Sequence, residues 1–251
     1  RFNDIDSFSC FDALMHETGH GLYEQGLPSR FIHQPIGQAA GMSMHESQSL
    51  FIEMQIIKSL AVCKYIEKIL IKNLKKNKLV WNSRAIFNSR TKVNEGYIRV
   101  DADEVYYPLH IIHRFNIELQ LIENNEKIKY LPEIWNDEFY KIFGIKVNSD
   151  NDGCLQDIHW YGGDFGYFPT YSIGAFIAAQ IKYKIKDYIK DLDYLLENGK
   201  FKAVTLWLKN NIHNKGNIYK IDELLEKTTG EKLKTKYFKK HISDRYLKKI
   251  N

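Results

Sequence analysis

His16, Glu17 and His20 form an H-E-x-x-H pattern inside a run, Phe8 to Gln25, whose apolar residues recur at helical spacing. Two imidazoles four residues apart lie on one helical face, about 6 Å of rise apart, which suits joint coordination of one zinc ion. Glu17, between them, is placed to take a proton from water at such a metal. The plainer reading is a helix whose His and Glu side chains are merely solvated. A zinc site of this kind needs a third protein ligand and keeps one position open. Two carboxylates qualify. Glu46 lies near the start of the next helix, after a loop long enough to let that helix fold back, and Glu53 rivals it on spacing alone.

Other side chains could serve such a centre. His45 could touch substrate, donate to a ligand from behind, or simply pack. Arg99 is followed by Asp101 and Asp103, and a planar guanidinium suits either of those carboxylates or a substrate's. His159, Tyr167 and Tyr171 fall in an aromatic, glycine-rich stretch where one of them could donate a hydrogen bond to a developing oxyanion. Packing of an aromatic loop is the alternative for all three. Gln156 and Asp157 are candidates for orienting the zinc histidines. His110 and His113 are spaced like a second metal pair, but no Cys or carboxylate pair accompanies them, so they read as structural. His33, His213 and His241 carry no readable signal.

The elements that must hold these groups are mostly helices. Gly26, Leu27 and Pro28 stop the first helix, and a Pro- and Gly-containing loop leads to a second helical run from Ser47 to Ile71. Residues 79 to 94 read as a short amphipathic helix, Leu109 to Ile122 as another, and Pro132 opens one that runs to Phe143. Tyr97 to Val100 alternates enough to predict a short strand. Gly144 to Pro169 reads as irregular, Tyr171 to Ile189 as helix, and three or four shorter helices follow. No repeat or low-complexity linker divides the chain.

Composition agrees with a folded helical unit. Of 251 residues 44% are hydrophobic, enough for a substantial core, and 27% are charged. The net charge of +5 comes mostly from Lys-rich stretches, Lys72 to Lys78 and Lys232 to Lys249, which read as solvated helix faces rather than a nucleic-acid surface. Cys10, Cys63 and Cys154 are scattered without metal-type spacing, which points to free thiols in a reducing compartment, the cytoplasm. No apolar run approaches the roughly 18 residues of a membrane span, and no stretch reads as a secretory leader. The residues show no Ser-His-Asp set, P-loop or dinucleotide fingerprint that would compete for the chemistry.

Four blocks carry a resemblance. His16-Glu17-Thr18-Gly19-His20 with the Gly21 to Gly26 segment resembles the Taq-type carboxypeptidase family of zinc metallocarboxypeptidases. His45-Glu46-Ser47-Gln48, Ile98 to Asp103 and Gly153 to Trp160 follow in that family's order, and Phe165 to Tyr171 also looks like it. The resemblance implies one zinc ion held by His16, His20 and Glu46, with Glu17 as general base and acid, and Arg99 holding the substrate's terminal carboxylate. Two family signatures, H-P-F and D-x-R-x-T, lie ahead of the zinc helix and have no counterpart here. The chain is therefore expected to correspond to the C-terminal catalytic half, without the family's N-terminal helical region.

The expected fold is mainly α: a multi-helix zincin-like catalytic domain with a small β element, forming one unit over residues 1–251. The expected activity is removal of residues from peptide C-termini. Its rivals are a zinc oligopeptidase or dipeptidyl carboxypeptidase, and a non-catalytic remnant. Expected partners are peptide substrates, with a homodimer left open as the assembly; neither nucleic acid nor a membrane is expected.

Overall fold

The structure, a computed structural model, describes residues 6–74, 81–123 and 128–247. Those residues are mainly helical and contain no strand. Residues 79 and 80 of the expected 79–94 helix lie outside the described residues, as do Lys75 to Lys78 and the tail after Leu247. No described helix is long and apolar enough to cross a membrane. The chain forms two compact units, one of Arg1–Thr91 with Ile173–Asn251, the other of Lys92–Ser172.

In the first unit, helix α1 (Ser7–Gly26) starts where the Asp6 carboxylate accepts the Ser9 N–H at 3.0 Å, capping the first turn. Helix α2 (Met42–Leu50) follows Gly41, whose φ of +91° is open to glycine and strained for other residues. Helix α2 is nearly all buried although Ser43, Glu46, Ser47, Gln48 and Ser49 are polar. It tolerates this because the small side chains are satisfied locally. Ser47 Oγ donates to the Met44 carbonyl at 2.7 Å, Ser49 Oγ to the Glu46 carbonyl at 2.6 Å, and Gln48 Nε2 to Ser47 Oγ at 2.9 Å.

Glycines on neighbouring helices let them come close to α2. A Cβ on Gly19 of α1 would stand 2.5 Å from the Gln48 carbonyl oxygen and 2.5 Å from the Ser49 Cα. Helix α8 (Pro169–Tyr188) approaches α2 in the same way, since a Cβ on Gly174 would lie 3.0 Å from both Cβ and Cγ of Glu46. Beyond Gly174, α8 sends Ile177, Ala178, Ile181 and Ile185 fully into the core.

The single helix expected over Ser47 to Ile71 is divided. A π-helical segment, Phe51–Ile57, continues α2, and the Lys58 N–H bonds the Glu53 carbonyl five residues back. Ser59 then accepts the Val62 N–H on its hydroxyl, capping a new helix, α3 (Leu60–Leu74). Helix α4 (Ser83–Arg90) is capped by Asn82, which accepts the Ala85 N–H at 2.9 Å. Four shorter helices follow α8 and complete this unit: α9 (Leu192–Glu197), α10 (Lys202–Asn211), α11 (Ile221–Thr229) and α12 (Lys236–Ile242).

The second unit packs α5 (Tyr107–Ile122) and α6 (Leu131–Phe143) around Ile117, Trp135, Phe139, Phe143 and Cys154. Helix α6 stops at Gly144, which takes a left-handed φ of +72°. A single short helix, α7 (His159–Gly162), interrupts the irregular stretch. The β element expected at Tyr97 to Val100 is not a strand. Ile98 is extended, but the chain turns at once into a 3-10 turn, Arg99–Asp101. Gln156 supplies the hydrogen bonds a partner strand would have made, accepting the Arg99 N–H at 2.8 Å and donating to the Tyr97 carbonyl at 3.1 Å.

One substitution made twice on α1 tests the close packing. Gly19→Ala is expected to destabilise the protein by about 1–3 kcal/mol, because its methyl meets backbone. Gly21→Ala, with nothing within 4 Å of its added Cβ, is expected to stabilise by about 0.5–1 kcal/mol through helix propensity. Urea unfolding midpoints check this. Shifts of the same sign would show that α1 does not rest on α2 at Gly19.

Candidate metal centre and anion pocket

His16 and His20 project from one face of α1 toward α2, which Gly19 holds at contact distance. Glu46 Oε2 lies 3.7 Å from His16 Nε2 and 3.5 Å from His20 Nε2. The three donor atoms all fall within 4.8 Å of one another, and no other such group is found among the described residues. Ligands at about 2.0–2.1 Å from a tetrahedral zinc ion stand about 3.3 Å apart, so small adjustments would close this set on a metal. The two imidazoles keep 24% and 22% of their side-chain surface exposed, leaving the centre open on one side.

The electrostatics also suit a cation. Burial works against charge on His16, yet Glu53, Glu46 and Glu17 together raise its pKa above the ordinary value. Glu17 is exposed, and its field falls on His16. The far nitrogens of both histidines are engaged. His16 Nδ1 is 2.9 Å from Glu53 Oε2, and Lys58 Nζ donates to Glu53 Oε1 at 2.7 Å. Burial alone would raise the Glu53 carboxyl, but Lys58 and the His16 ring bring it down to about 2. Glu53, the rival for third ligand, is thus turned to the back of His16 with both oxygens taken.

His45 stands behind His20. Its Nδ1 lies 2.7 Å from His20 Nδ1 and its Nε2 lies 2.8 Å from Glu24 Oε1, so neither ring nitrogen is left for a substrate. Gln48, from the same block as Glu46, faces His213 Nε2 at 3.0 Å. The sequence reading missed Glu24 and Lys58. Glu24 had a signal, since His16, His20 and Glu24 recur every four residues on one face. Lys58 is five residues from Glu53, a spacing that aligns on a π-helix and not on an α-helix.

The second unit gathers the other candidates. Asp157 is gripped by two guanidiniums: Oδ1 accepts Arg99 Nε at 2.9 Å, and Oδ2 accepts Arg114 Nε at 2.6 Å. Burial would raise Asp157, but Arg114 and Arg99 hold it below the usual carboxylate range. Burial opposes charge on Arg114 and takes it down to about 10, still well charged at neutral pH. Two cations therefore face one anion in a buried cluster, with positive charge in excess.

Arg99, Gln156, Asp157, His159, Tyr167 and Tyr171 line a cavity of about 390 Å³ beside that cluster. His159 Nε2 is 2.9 Å from the Tyr171 hydroxyl, and the Arg99 guanidinium lies 4.7 Å from the Tyr171 ring centre. Burial first, then Arg99, lowers the His159 pKa, so the ring is neutral at pH 7.

Several expected partnerships are replaced. Arg99 pairs with Asp157 rather than Asp101 or Asp103. The Asp103 carboxylate is taken by the backbone N–H groups of Asn94, Val105 and Tyr106, the last two entering α5. Gln156 and Asp157 bind Arg99 and Arg114, while Glu53 and His45 occupy the place behind the histidines. Arg114, fully buried, had no signal in the sequence. His110 and His113 are structural as expected. Their rings pack against Phe143 and Trp135 at 4.6 and 4.4 Å, and His113 Nε2 bonds the Trp135 carbonyl at 3.1 Å.

The family profile described as carboxypeptidase Taq (M32) metallopeptidase matches residues 1–246. The chain is 37% identical over 249 residues to thermostable carboxypeptidase 1 of Pyrococcus furiosus. It is 36% identical over 250 residues to carboxypeptidase 1 of Bacillus subtilis. Each match takes in 98% of this chain and 49% of the relative, so the chain spans about half the length of these curated relatives. Metallocarboxypeptidase 1 of Trypanosoma cruzi is structurally similar with a TM-score of 0.93 at 34% identity, covering 99% of this chain and 52% of that one.

The buried histidines of the second unit generate a pH prediction. Burial, and then Arg114, pushes His110 and His113 down to about 3. Unfolded histidines titrate near 6.5, so between those values the unfolded chain holds more protons and stability falls as pH falls. Each ring is expected to contribute a slope of up to about 1.4 kcal/mol per pH unit below pH ~6. Urea unfolding between pH 7 and pH 5, compared with His113→Phe, measures it. A slope that His113→Phe leaves unaltered would show that this ring titrates normally in the fold.

Proposed function

The chain belongs to the carboxypeptidase Taq (M32) metallopeptidase family, and from that premise we propose that it is the catalytic half of a zinc carboxypeptidase acting on peptides with a free C-terminus. The observation that carries this reading is the meeting of His16 Nε2, His20 Nε2 and Glu46 Oε2, with the far nitrogen of each histidine tied back. His16, His20 and Glu46 would hold the ion. Zinc held there would supply Lewis acidity toward the scissile carbonyl and toward a water molecule near neutral pH.

The remaining work falls to the protein's own groups. Glu17, one residue beyond His16 and open to solvent, takes the proton of the attacking water and returns it to the leaving amine. Arg99 binds the terminal carboxylate of the substrate. Support for this comes from the excess positive charge of the Arg99–Asp157–Arg114 cluster, and from Asp157, which holds the guanidinium by one edge and leaves other N–H donors for a second carboxylate. His159, Tyr171 and Tyr167 are donors for the carbonyl oxygen as it gains charge. Of the roles open to His45, this reading takes the one behind a ligand, orienting His20.

Metal analysis of protein purified without chelator is expected to give about one zinc per chain, lost in His16→Ala and in His20→Ala. Glu17→Gln should keep the metal and lose about 10²- to 10⁴-fold in turnover. Full metal retention in the double His16→Ala/His20→Ala variant would remove the site. Stoichiometric zinc with no turnover of any peptide would leave a metal-binding half without catalysis.

A paired assay tests Arg99. Arg99→Ala should lower kcat/KM for free-acid peptides by a factor of about 30 to several thousand, since removing one partner of a buried charge pair costs about 2–5 kcal/mol. Amidated peptides, cleaved slowly by the unaltered protein, should hardly change. An equal loss on both substrates would make Arg99 purely structural, and rapid cleavage of amidated peptides would favour an oligopeptidase.

A further inference from the structure

Glu24 lies one helical turn beyond His20 and two beyond His16, on the face of α1 that carries both histidines. Its side chain is 56% exposed, and the Oε1 atom lies 2.8 Å from His45 Nε2. The other ring nitrogen of His45 lies 2.7 Å from His20 Nδ1. The ring centres of His20 and His45 are 4.6 Å apart. Three side chains thus form one continuous hydrogen-bonded line from the protein surface to a metal-ligand histidine.

The donors along this line can be assigned by elimination. An ionised carboxylate only accepts, so His45 must carry a hydrogen on Nε2 where it meets Glu24. A neutral imidazole has a single N–H, so Nδ1 of His45 is left as an acceptor. Only one hydrogen can lie between two nitrogens at that distance, and it must therefore come from His20 Nδ1. The consequence for His20 is that its Nε2, the atom facing Glu46, carries no hydrogen. That is the form in which an imidazole can bind a metal.

His16 reaches the same state by a shorter route. Glu53 Oε2 accepts directly from Nδ1, and Lys58 holds the other oxygen of that carboxylate. Lys58 also lies 3.7 Å from Asp12, which stands one turn before His16 on α1. Asp12 in turn pairs with Arg90. The two ligands are thus backed differently: His16 by a nearly buried carboxylate, His20 by an imidazole whose own state a surface carboxylate decides.

We propose that Glu24 is a positioning residue for the metal centre, acting through His45 to keep the proton of His20 on Nδ1 and so leave Nε2 bare for a metal. The inference rests on the reading of His16, His20 and Glu46 as the metal ligands. Glu24 touches neither metal nor substrate in this role. It replaces the free choice that a histidine has in water between two neutral tautomers with one fixed by the fold.

The test uses the whole chain and two readouts that do not require turnover. In metal-free protein, imidazole ¹⁵N shifts report which nitrogen of each ring bears hydrogen. His20 is expected to show the Nδ1–H form in the unaltered protein and in Glu24→Gln, whose amide oxygen can still accept from His45. In Glu24→Leu the Nε2–H form of His20 should appear, while His16, held by Glu53, should not change. Zinc affinity, measured by competition with a chromophoric chelator, should fall about 10- to 100-fold in Glu24→Leu and stay near that of the unaltered protein in Glu24→Gln. His45→Phe, which removes the intermediate ring, should match Glu24→Leu in both readouts.

An unchanged His20 tautomer and unchanged zinc affinity in Glu24→Leu would overturn the proposal. So would a Glu24→Gln variant as weak as Glu24→Leu, because the carboxylate would then act through charge alone. A separate result would overturn the underlying site: zinc affinity in His20→Ala equal to that of the unaltered protein.

Discussion

Helix α1 lies directly on the backbone of α2 because residue 19 has no side chain: a Cβ there would stand 2.5 Å from the Gln48 carbonyl oxygen. That contact bears on where Glu46 stands relative to His16 and His20, the one such donor group among the described residues. Beside so close a neighbour, Ser47 and Ser49 of α2 stay satisfied because their hydroxyls bond back to its own carbonyls. Gly174 on α8 repeats the device on the Glu46 side chain itself, where an added Cβ would come within 3.0 Å. Glycines from two helices thus fix the approach to α2 on either side of Glu46, one at Gln48 and Ser49, the other at the stem of Glu46 itself. Interiors packed at this density respond to a single added carbon, which makes the geometry of the three donors a property of backbone approach rather than of side-chain choice.

Charge is arranged on the same economical terms. Asp12, His16, His20 and Glu24 recur every four residues along α1, so one helical face carries the two candidate ligands together with charged neighbours. In the first unit buried charges of opposite sign alternate along one line, from Glu53 through Lys58 to Asp12 and Arg90. The second unit departs from that balance. Two guanidiniums share the single carboxylate of Asp157 beside an open cavity. Burying unmatched positive charge is unfavourable unless water or a bound anion supplies the missing negative charge.

Helical periodicity located most elements, with α1, α5, α6 and α8 found to within two residues of their ends. The failures have local causes. The π-helical segment and the Ser59 cap divide a run whose apolar spacing looks continuous, because periodicity averages over a break of two residues. Tyr97 to Val100 alternates like a strand, but alternation reports only that one side is buried. Its hydrogen bonds go to the side chain of Gln156, more than fifty residues on, and no local pattern carries that information.

The H-E-x-x-H spacing, read alone, determined that two imidazoles and a carboxylate share one turn of helix, and with its companion blocks it determined the family. Those are consequences of helix geometry and of matching residues in order. Tertiary structure decided everything that depends on separate segments meeting. It chose Glu46 over Glu53 to face both Nε2 atoms and set His45 behind His20. It also gave Arg99 to Asp157 in preference to the nearby Asp101 and Asp103. The physical reason is that a carboxylate interacts with any donor that packing brings within about 3 Å, and packing is settled by glycines, caps and buried volume spread across the whole chain.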